Sequence, residues 1–444
     1  MTTPTTTTPT TTTPTTPTPT TPTTERDRAP RLACRACGRP ESAPLAYVCP
    51  ACLGPLEARY ELDVLAGHLD RDVIARRPPG IWRYAELLPV ERPPERGLAV
   101  GSTPLVRAGR LGERIGIERM WLKDDTRNPS LSFKDRAVAV AATRAVELGL
   151  DALACASTGN LAGATAAAAA AAGLPAYVFV PADLEPAKID HASAYGASVV
   201  SVAGTYDDVN RLCLEVADET GWGFVNVNLR PYYAEGSKTL AFEIAEGLGW
   251  RTPDVVVAPI ASGALFTKLA RGFDQLATIG LIDRRPVRFV GGQPAGCAPV
   301  ADAWASDAET WSPVRTPDTI VRSLAIGSPA DGDAALALAR ATNGSIEAIP
   351  DTATAVAIRD VAALEGIYTE TAGGVTIAAA QAARRRGVID PGDEVVVLLT
   401  GNGVKTPDAR RLGLDGRSAI GGPDPGLPIR PTFGAFESWL EAQA

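Results

Sequence analysis

From Gly80 onward, short apolar runs alternate with longer stretches of helical periodicity. Residues 120–123 lead into 133–148, and 152–156 lead into 161–172. Further apolar runs fall at 176–180, 199–202, 224–227, 255–258, 287–290 and 395–399, with helical stretches between most of them. Strands with so little polar alternation suit a parallel sheet covered on both faces, so the pattern predicts an α/β fold. In open sheets of this kind ligands sit outside the carboxyl ends of the strands, where loops enter helix N-termini. Chemistry is therefore sought in those loops.

Four loops carry candidate residues. The first runs Asn128-Pro129-Ser130-Leu131-Ser132-Phe133-Lys134-Asp135-Arg136. Ser132 followed by Asp135 reads as a capping box with Asp in place of Glu, which sets Lys134 in the first turn of a helix. The positive end of a helix dipole repels an ammonium ion. Lys134 is then a surface lysine on a capped helix, or it is held by a nearby anion, or it is not an ammonium in the working protein. A Schiff base beside a bound phosphate meets the last two conditions. Lysine is scarce: Lys123, Lys134, Lys188, Lys238, Lys268 and Lys405 complete the set, and the other basic residues are arginines.

The second loop, Ser157-Thr158-Gly159-Asn160-Leu161-Ala162-Gly163, follows the 152–156 strand. Its glycines admit a ligand close to the backbone, and its hydroxyls, amide and following N–H groups form a cradle for a carboxylate or phosphate. Ser157 and Thr158 read equally well as N-caps of the Ala-rich helix. The third, Pro259-Ile260-Ala261-Ser262-Gly263-Ala264-Leu265, has the form of a phosphate-holding turn with one internal glycine. The fourth is Thr400-Gly401-Asn402-Gly403, where Thr400 can offer a neutral hydroxyl to a ring nitrogen; alone it is also an ordinary turn.

With Gly101-Ser102-Thr103-Pro104-Leu105, these loops occur in the order found in fold-type II pyridoxal-phosphate enzymes, and the set resembles the threonine synthases over roughly residues 80–408. The resemblance implies two doubly wound open sheets with the cofactor between them, preceded by a small zinc ribbon. It makes Lys134 the Schiff-base lysine and the acid/base at the substrate carbons. Asn160 bonds the phenolic oxygen of pyridoxal 5'-phosphate, Ser262, Gly263, Ala264 and Leu265 hold its phosphate, and Thr400 faces its pyridine nitrogen. Ser157 and Thr158 take the substrate carboxylate, while Arg230, Ser237 and Lys238 are candidates for the leaving phosphate. The implied reaction turns O-phospho-L-homoserine and water into L-threonine and phosphate, in a homodimer.

The sequence departs from that pattern in places. Ala261 and Ala264 stand in the phosphate turn where glycine is more usual. Tyr233 stands where an arginine is often seen, with Arg230 three positions earlier, and Thr371-Ala372-Gly373-Gly374 follows Glu370 in place of a Pro-Ala-Ser-Ala type of run. Relatives with a similar pattern include cysteate-synthase-like and threonine-dehydratase-like enzymes. A reading from another class is a zinc-ribbon binding protein whose enzyme core has decayed.

Composition adjusts the ends of this picture. The 444 residues carry a formal net charge of −8 without a long basic run, which disfavours nucleic acid or an anionic membrane and favours a small-molecule partner, which the resemblance implies is an amino acid. No apolar stretch has the length of a membrane span. Of seven cysteines, Cys34, Cys37, Cys49 and Cys52 form two Cys-x-x-Cys pairs, each half of a tetrahedral structural zinc site, with Gly38 and Gly54 easing the knuckle turns. Cys155, Cys213 and Cys297 are scattered, and with no basic, apolar leader the expected compartment is the cytoplasm. Residues 1–24 are almost wholly Thr and Pro, with nothing apolar to bury, and are expected to be disordered. The expected divisions are that tail, a ribbon at 25–60, a larger cofactor-binding unit at 61–134 and 240–430, a smaller mobile unit at 135–239 and an extension at 431–444.

Overall fold

The structure, a computed structural model, describes residues 31–406 and 428–441 apart from 158, 183, 185 and 205. The Thr/Pro stretch at 1–24 lies outside the described residues, and so does Thr158. Thirteen strands are described: β1 (Arg31–Cys34), β2 (Pro40–Glu41), β3 (Leu56–Arg59), β4 (Leu105–Arg107), β5 (Arg119–Asp124), β6 (Leu153–Ala156), β7 (Ala176–Pro181), β8 (Ser198–Val202), β9 (Gly223–Phe224), β10 (Val255–Pro259), β11 (Arg288–Pro294), β12 (Ser345–Ile349) and β13 (Glu394–Leu399). They form three sheets, ordered β2-β1-β3, β12-β11-β10-β13-β5-β4 and β8-β7-β6-β9.

The six-stranded sheet is parallel except for β4, which runs antiparallel to β5. Its two central strands explain why it forms. Every residue of β10 and β13 is buried, and alternate side chains enter opposite cores. Val256, Ala258, Val396 and Leu398 face one, with Phe242, Phe266 and Leu269. Val255, Val257, Val395, Val397 and Leu399 face the other, with Val375, Ala379 and Ala383 of helix Thr371–Arg385. Each buried valine or leucine contributes roughly 1.5–3 kcal/mol. The four-stranded sheet is also parallel and has its own core around Ala154, Ala156, Phe179, Cys213 and Phe224.

Two departures from the sequence pattern have physical causes. The apolar run at 224–227 gives only the two-residue β9, because the Asn226 amide continues the ladder instead: its oxygen accepts from the Ala156 N–H and its nitrogen donates to the Ala156 carbonyl. The pattern misses β12, where buried Glu347 interrupts the apolar run while accepting from Ser345 Oγ and Arg386.

The ribbon sheet, β1–β3, is docked on the body. Tyr60 Oη donates to Glu235 at 2.8 Å, Glu57 pairs with Lys268 at 3.2 Å, and Tyr232 Oη donates to the Pro44 carbonyl at 2.8 Å. Among the described residues, no helix is long and apolar enough to cross a membrane.

Candidate active site

Helix Lys134–Glu147 starts at the first candidate loop, but without the expected capping box. The Asp135 carboxylate accepts from the Ser130 N–H and hydroxyl instead, at 2.7 and 2.6 Å, and Ser132 Oγ is buried with no partner. Asp135 closes the loop behind the lysine, and burial pushes its carboxyl up to about 6 against those two bonds. Arg136 is locked deeper still. Its guanidinium meets Asp125 at 2.6 Å and Glu243 at 2.7 Å, and Lys123 meets Glu243 at 2.7 Å. Burial would raise the Glu243 carboxyl, but Arg136 and Lys123 outweigh it and hold the group well below the usual range. Glu243 also accepts from the N–H groups of Ser102 and Thr103, so one buried knot joins two of the sequence motifs.

This knot leaves Lys134 facing something unlike the partners of Lys123, Lys238 and Lys268, which each meet a carboxylate. Lys134 Nζ donates to the neutral Tyr233 phenol at 2.9 Å and lies 4.7 Å from the Phe133 ring centre. On one side, a ladder joins its loop to the fourth candidate loop. The Phe133 N–H donates to the Thr400 carbonyl, Ser132 bridges Gly401, and the Asn402 N–H donates to the Leu131 carbonyl. Buried Thr400 is thereby set beside the start of the Lys134 helix. The Glu370 N–H donates to the Gly401 carbonyl, and the Glu370 carboxylate accepts both bonds from the Asn160 amide, at 2.9 and 2.8 Å. A Cβ on Gly401 would lie 2.3 Å from the Glu370 carboxylate and would displace it from this position.

On the other side the path runs through helix Arg230–Gly236, which carries Tyr233 and, one turn earlier, Arg230. Arg230 pairs with Asp331 at 2.7 Å, and the Asp331 N–H donates to the Ser262 carbonyl at 2.8 Å. Gly263 follows at φ +91°, where a Cβ would stand 2.6 Å from the Asp331 carbonyl oxygen, and helix Ala264–Thr278 begins at once. The first N–H groups of that helix have no partners within it and form a ready anion site. Hydrogen bonds and ion pairs thus connect Lys134, Thr400, Asn160 and the Ser262–Gly263 turn around one crevice.

Some expected residues sit elsewhere. Ser157 Oγ accepts from the N–H groups of Gly159 and Ala162, both at 3.0 Å, so its hydroxyl caps the helix instead of pointing at a ligand. Lys238 and Ser237, candidates for the leaving phosphate, are both buried. Lys238 meets Glu235 and Gln275 and lies 4.0 Å from the Tyr60 ring centre of the ribbon, because burial of the helix junction demands that its charge be paired. Tyr233 was not expected as a partner of the lysine, and no local motif marks Asp331, Glu370 or Lys188, whose Nζ lies 3.7 Å from where a Gly159 Cβ would stand.

The four ribbon cysteines place their sulfurs within 4.8 Å of one another, with Cys34 and Cys52 3.5 Å apart and Cys37 and Cys49 3.7 Å apart. A tetrahedron of thiolates about 2.3 Å from a zinc ion has edges of about 3.8 Å, so the donor set fits a metal ion. The Cys37 N–H draws the Cys34 thiol down to about 7 and the Ala51 N–H lowers Cys49, while at Cys52 the lowering Gly54 N–H is outweighed by hydrogen bonds to Cys34 and Cys37 that push it up to about 12, so the cluster shares its protons unevenly. Gly38 has φ +74°, but in the second knuckle the left-handed residue is Leu53, at φ +57°; Gly54 supplies space, since a Cβ would stand 2.9 Å from Cys34 Sγ.

Residues 97–401 match the family described as pyridoxal-phosphate dependent enzyme. The threonine synthase of Methanosarcina acetivorans is 35% identical over 378 residues, covering 85% of this chain and 92% of that protein. That of Methanocaldococcus jannaschii is 34% identical over 379 residues, covering 85% and 93%. This chain belongs to the threonine synthase family. Solved structures share the fold: the processed form of threonine deaminase isoform 2 from Solanum lycopersicum superimposes with a TM-score of 0.58 at 23% identity, over 70% of this chain and 84% of its own. Serine racemase from maize gives 0.56 at 20% identity, over 68% and 88%. The donor set suits the family's cofactor. Pyridoxal phosphate needs an amine that is not tied up in an ion pair and an anion site at a helix start, and this threonine synthase relative has both in Lys134 and the Gly263 turn.

Proposed function

We propose that this chain makes L-threonine and phosphate from O-phospho-L-homoserine and water, with pyridoxal phosphate held through Lys134. The observation that carries the reading is Lys134 Nζ at a helix start beside Thr400, bonded to a neutral phenol. Its family membership agrees. When bound, the cofactor supplies an electron sink that makes the Cα–H of the amino acid acidic.

The residues around it divide the remaining work. Asn160, once released from Glu370, would bind the phenolic oxygen of the cofactor, the Thr400 hydroxyl would meet its ring nitrogen, and the N–H groups at Ser262, Gly263, Ala264 and Leu265 would hold its phosphate. A neutral Thr400 partner tempers the electron sink, which suits elimination and water addition more than transamination. Lys134 Nζ would take the proton from Cα, give it up, and then take one from Cβ so that phosphate can leave Cγ; protons would return to Cγ and Cα, with water supplying the hydroxyl at Cβ. Tyr233 Oη keeps Nζ in place between those transfers. Arg230, about one-third exposed, is the cation for the departing phosphate. We assign zinc to the cysteine cluster, a homodimer as the assembly and the cytoplasm as the compartment.

The test uses purified protein. Wild type should absorb as a pyridoxal-phosphate holoenzyme and lose that band on Lys134→Ala. It should release phosphate from O-phosphohomoserine faster than from O-phosphoserine and form no ketoacid from threonine. A wild type that binds no pyridoxal phosphate overturns the reading, and faster release from O-phosphoserine moves the substrate to a shorter amino acid.

A further inference from the structure

The ribbon touches the catalytic crevice at a defined point. Arg35 lies directly after the first cysteine ligand, and its backbone is fixed by a 2.9 Å bond from its N–H to the Pro55 carbonyl. Its guanidinium reaches 296 positions along the chain to Asp331, at 3.0 Å. The other Asp331 oxygen holds Arg230 at 2.7 Å, and the Asp331 backbone holds the Ser262–Gly263 turn. Two guanidinium groups therefore share one carboxylate at the mouth of the anion site. Asp331 is buried, its side chain 8% exposed, whereas Arg35 and Arg230 keep 36% and 32% of theirs open. Beside Arg230 a cavity of about 150 Å³ is walled by Tyr47 and Val48 of the ribbon and by Asn210 and Asn226.

The charge count decides what this arrangement does. With Arg230 alone, Asp331 would neutralise the one cation offered to a phosphorylated substrate and would repel the phosphate besides. The second guanidinium leaves a net positive charge there and gives Asp331 a partner to keep when Arg230 turns to an anion. We propose that Arg35 is a positioning and specificity residue of the active site: the metal-bound knuckle uses it to satisfy Asp331, which frees Arg230 for the phosphate of the substrate. The ribbon is in this sense a wall of the substrate site. This inference rests on the phosphorylated substrate proposed above.

The knuckle around Arg35 is closely packed. A Cβ on Gly54 would strike Cys34 Sγ and the Ala36 Cβ, both at 2.9 Å. The ribbon is further tied to both helices that frame the crevice. Glu57 reaches Lys268 on helix Ala264–Thr278, and Tyr60 reaches Glu235 on helix Arg230–Gly236.

Three variants of the holoenzyme test the idea: Arg35→Ala, Arg35→Lys and Arg35→Ala combined with Asp331→Asn. In Arg35→Ala the KM for O-phosphohomoserine and the dissociation constant of inorganic phosphate should rise together, roughly fivefold to tenfold, with kcat changed by less than about twofold. Metal content and cofactor absorption should match wild type. Arg35→Lys should recover part of the loss, and Asp331→Asn should restore phosphate binding in the Arg35→Ala background, a rescue that a purely structural arginine would not show. Unchanged KM and phosphate affinity in Arg35→Ala overturn the inference, as does a loss that follows metal release and is not rescued by Asp331→Asn. Phosphate binding is measured without turnover, so this result stands apart from whether wild type converts O-phosphohomoserine, which tests the proposed function itself.

Discussion

Tyr233 governs what Lys134 can do. A carboxylate in its place would bind the amine as an ion pair, as Glu243 does Lys123. A phenol holds it by one hydrogen bond of about 1 kcal/mol, which is readily exchanged. Tyr233→Phe should keep the cofactor absorption and lower kcat roughly fivefold, the worth of one lost orienting bond in the transition state. Steady-state kinetics checks this, and an unaltered kcat would remove the phenol from the proton path. Nothing in the local sequence marks Tyr233 for this role. It meets Lys134 across 99 positions, just as Arg230 meets Asp331 across 101 and Asn160 meets Glu370 across 210. Lys134, Asn160 and Thr400 could be picked out as candidates, because each lies in a short loop with a local signature, Ser-Phe-Lys-Asp-Arg, Ser-Thr-Gly-Asn or Thr-Gly-Asn-Gly.

At the level of elements, the helix that presents Lys134 depends on contacts that the sequence pattern does not show. Its first turn is held by Asp135 on Ser130 and by Arg136 in the buried knot with Asp125 and Glu243. Removing one member of such a knot strands the others, so Arg136→Met should cost about 3–5 kcal/mol in a denaturant unfolding experiment. Gly236 supplies a second constraint, since a Cβ there would lie 2.2 Å from the Arg136 carbonyl oxygen. Gly236→Ala should push helix Arg230–Gly236 off helix Lys134–Glu147 and lower Tm. The strands were readable from sequence because β10 and β13 are apolar on both faces. The short edge strand β4, only half buried, and β12, with its satisfied Glu347, lack that signature. The expected capping box failed for a related reason: Asp135 had a closer pair of donors in Ser130 than in the helix start.

Across the whole molecule, buried acids should make stability depend on pH. Burial would raise the Glu235 carboxyl, but Lys238 and Lys268 outweigh it and hold the group at about 2, against 4.5 when free. A depressed acid contributes stability above its unfolded value and loses it as pH falls through the folded one. Glu235 should therefore stabilise the fold at neutral pH, partly offset by burial of its partner Lys238, which lowers that amine to about 8, and the Glu235 contribution should be lost as pH falls from about 5 toward 2. Thermal melts across that window should show the decline, and Glu235→Gln should flatten it; an equal slope in the variant would place the titration elsewhere. Glu235 also receives Tyr60 from the ribbon, so acid should loosen ribbon and body together. The same docking has a consequence in time. Arg35 is synthesised 296 positions before the Asp331 it serves, an interval of roughly 15 to 60 s at about 5–20 residues per second. The cysteine knuckle leaves the ribosome well before the carboxylate it reaches, so the ribbon can dock only after most of the chain has been made.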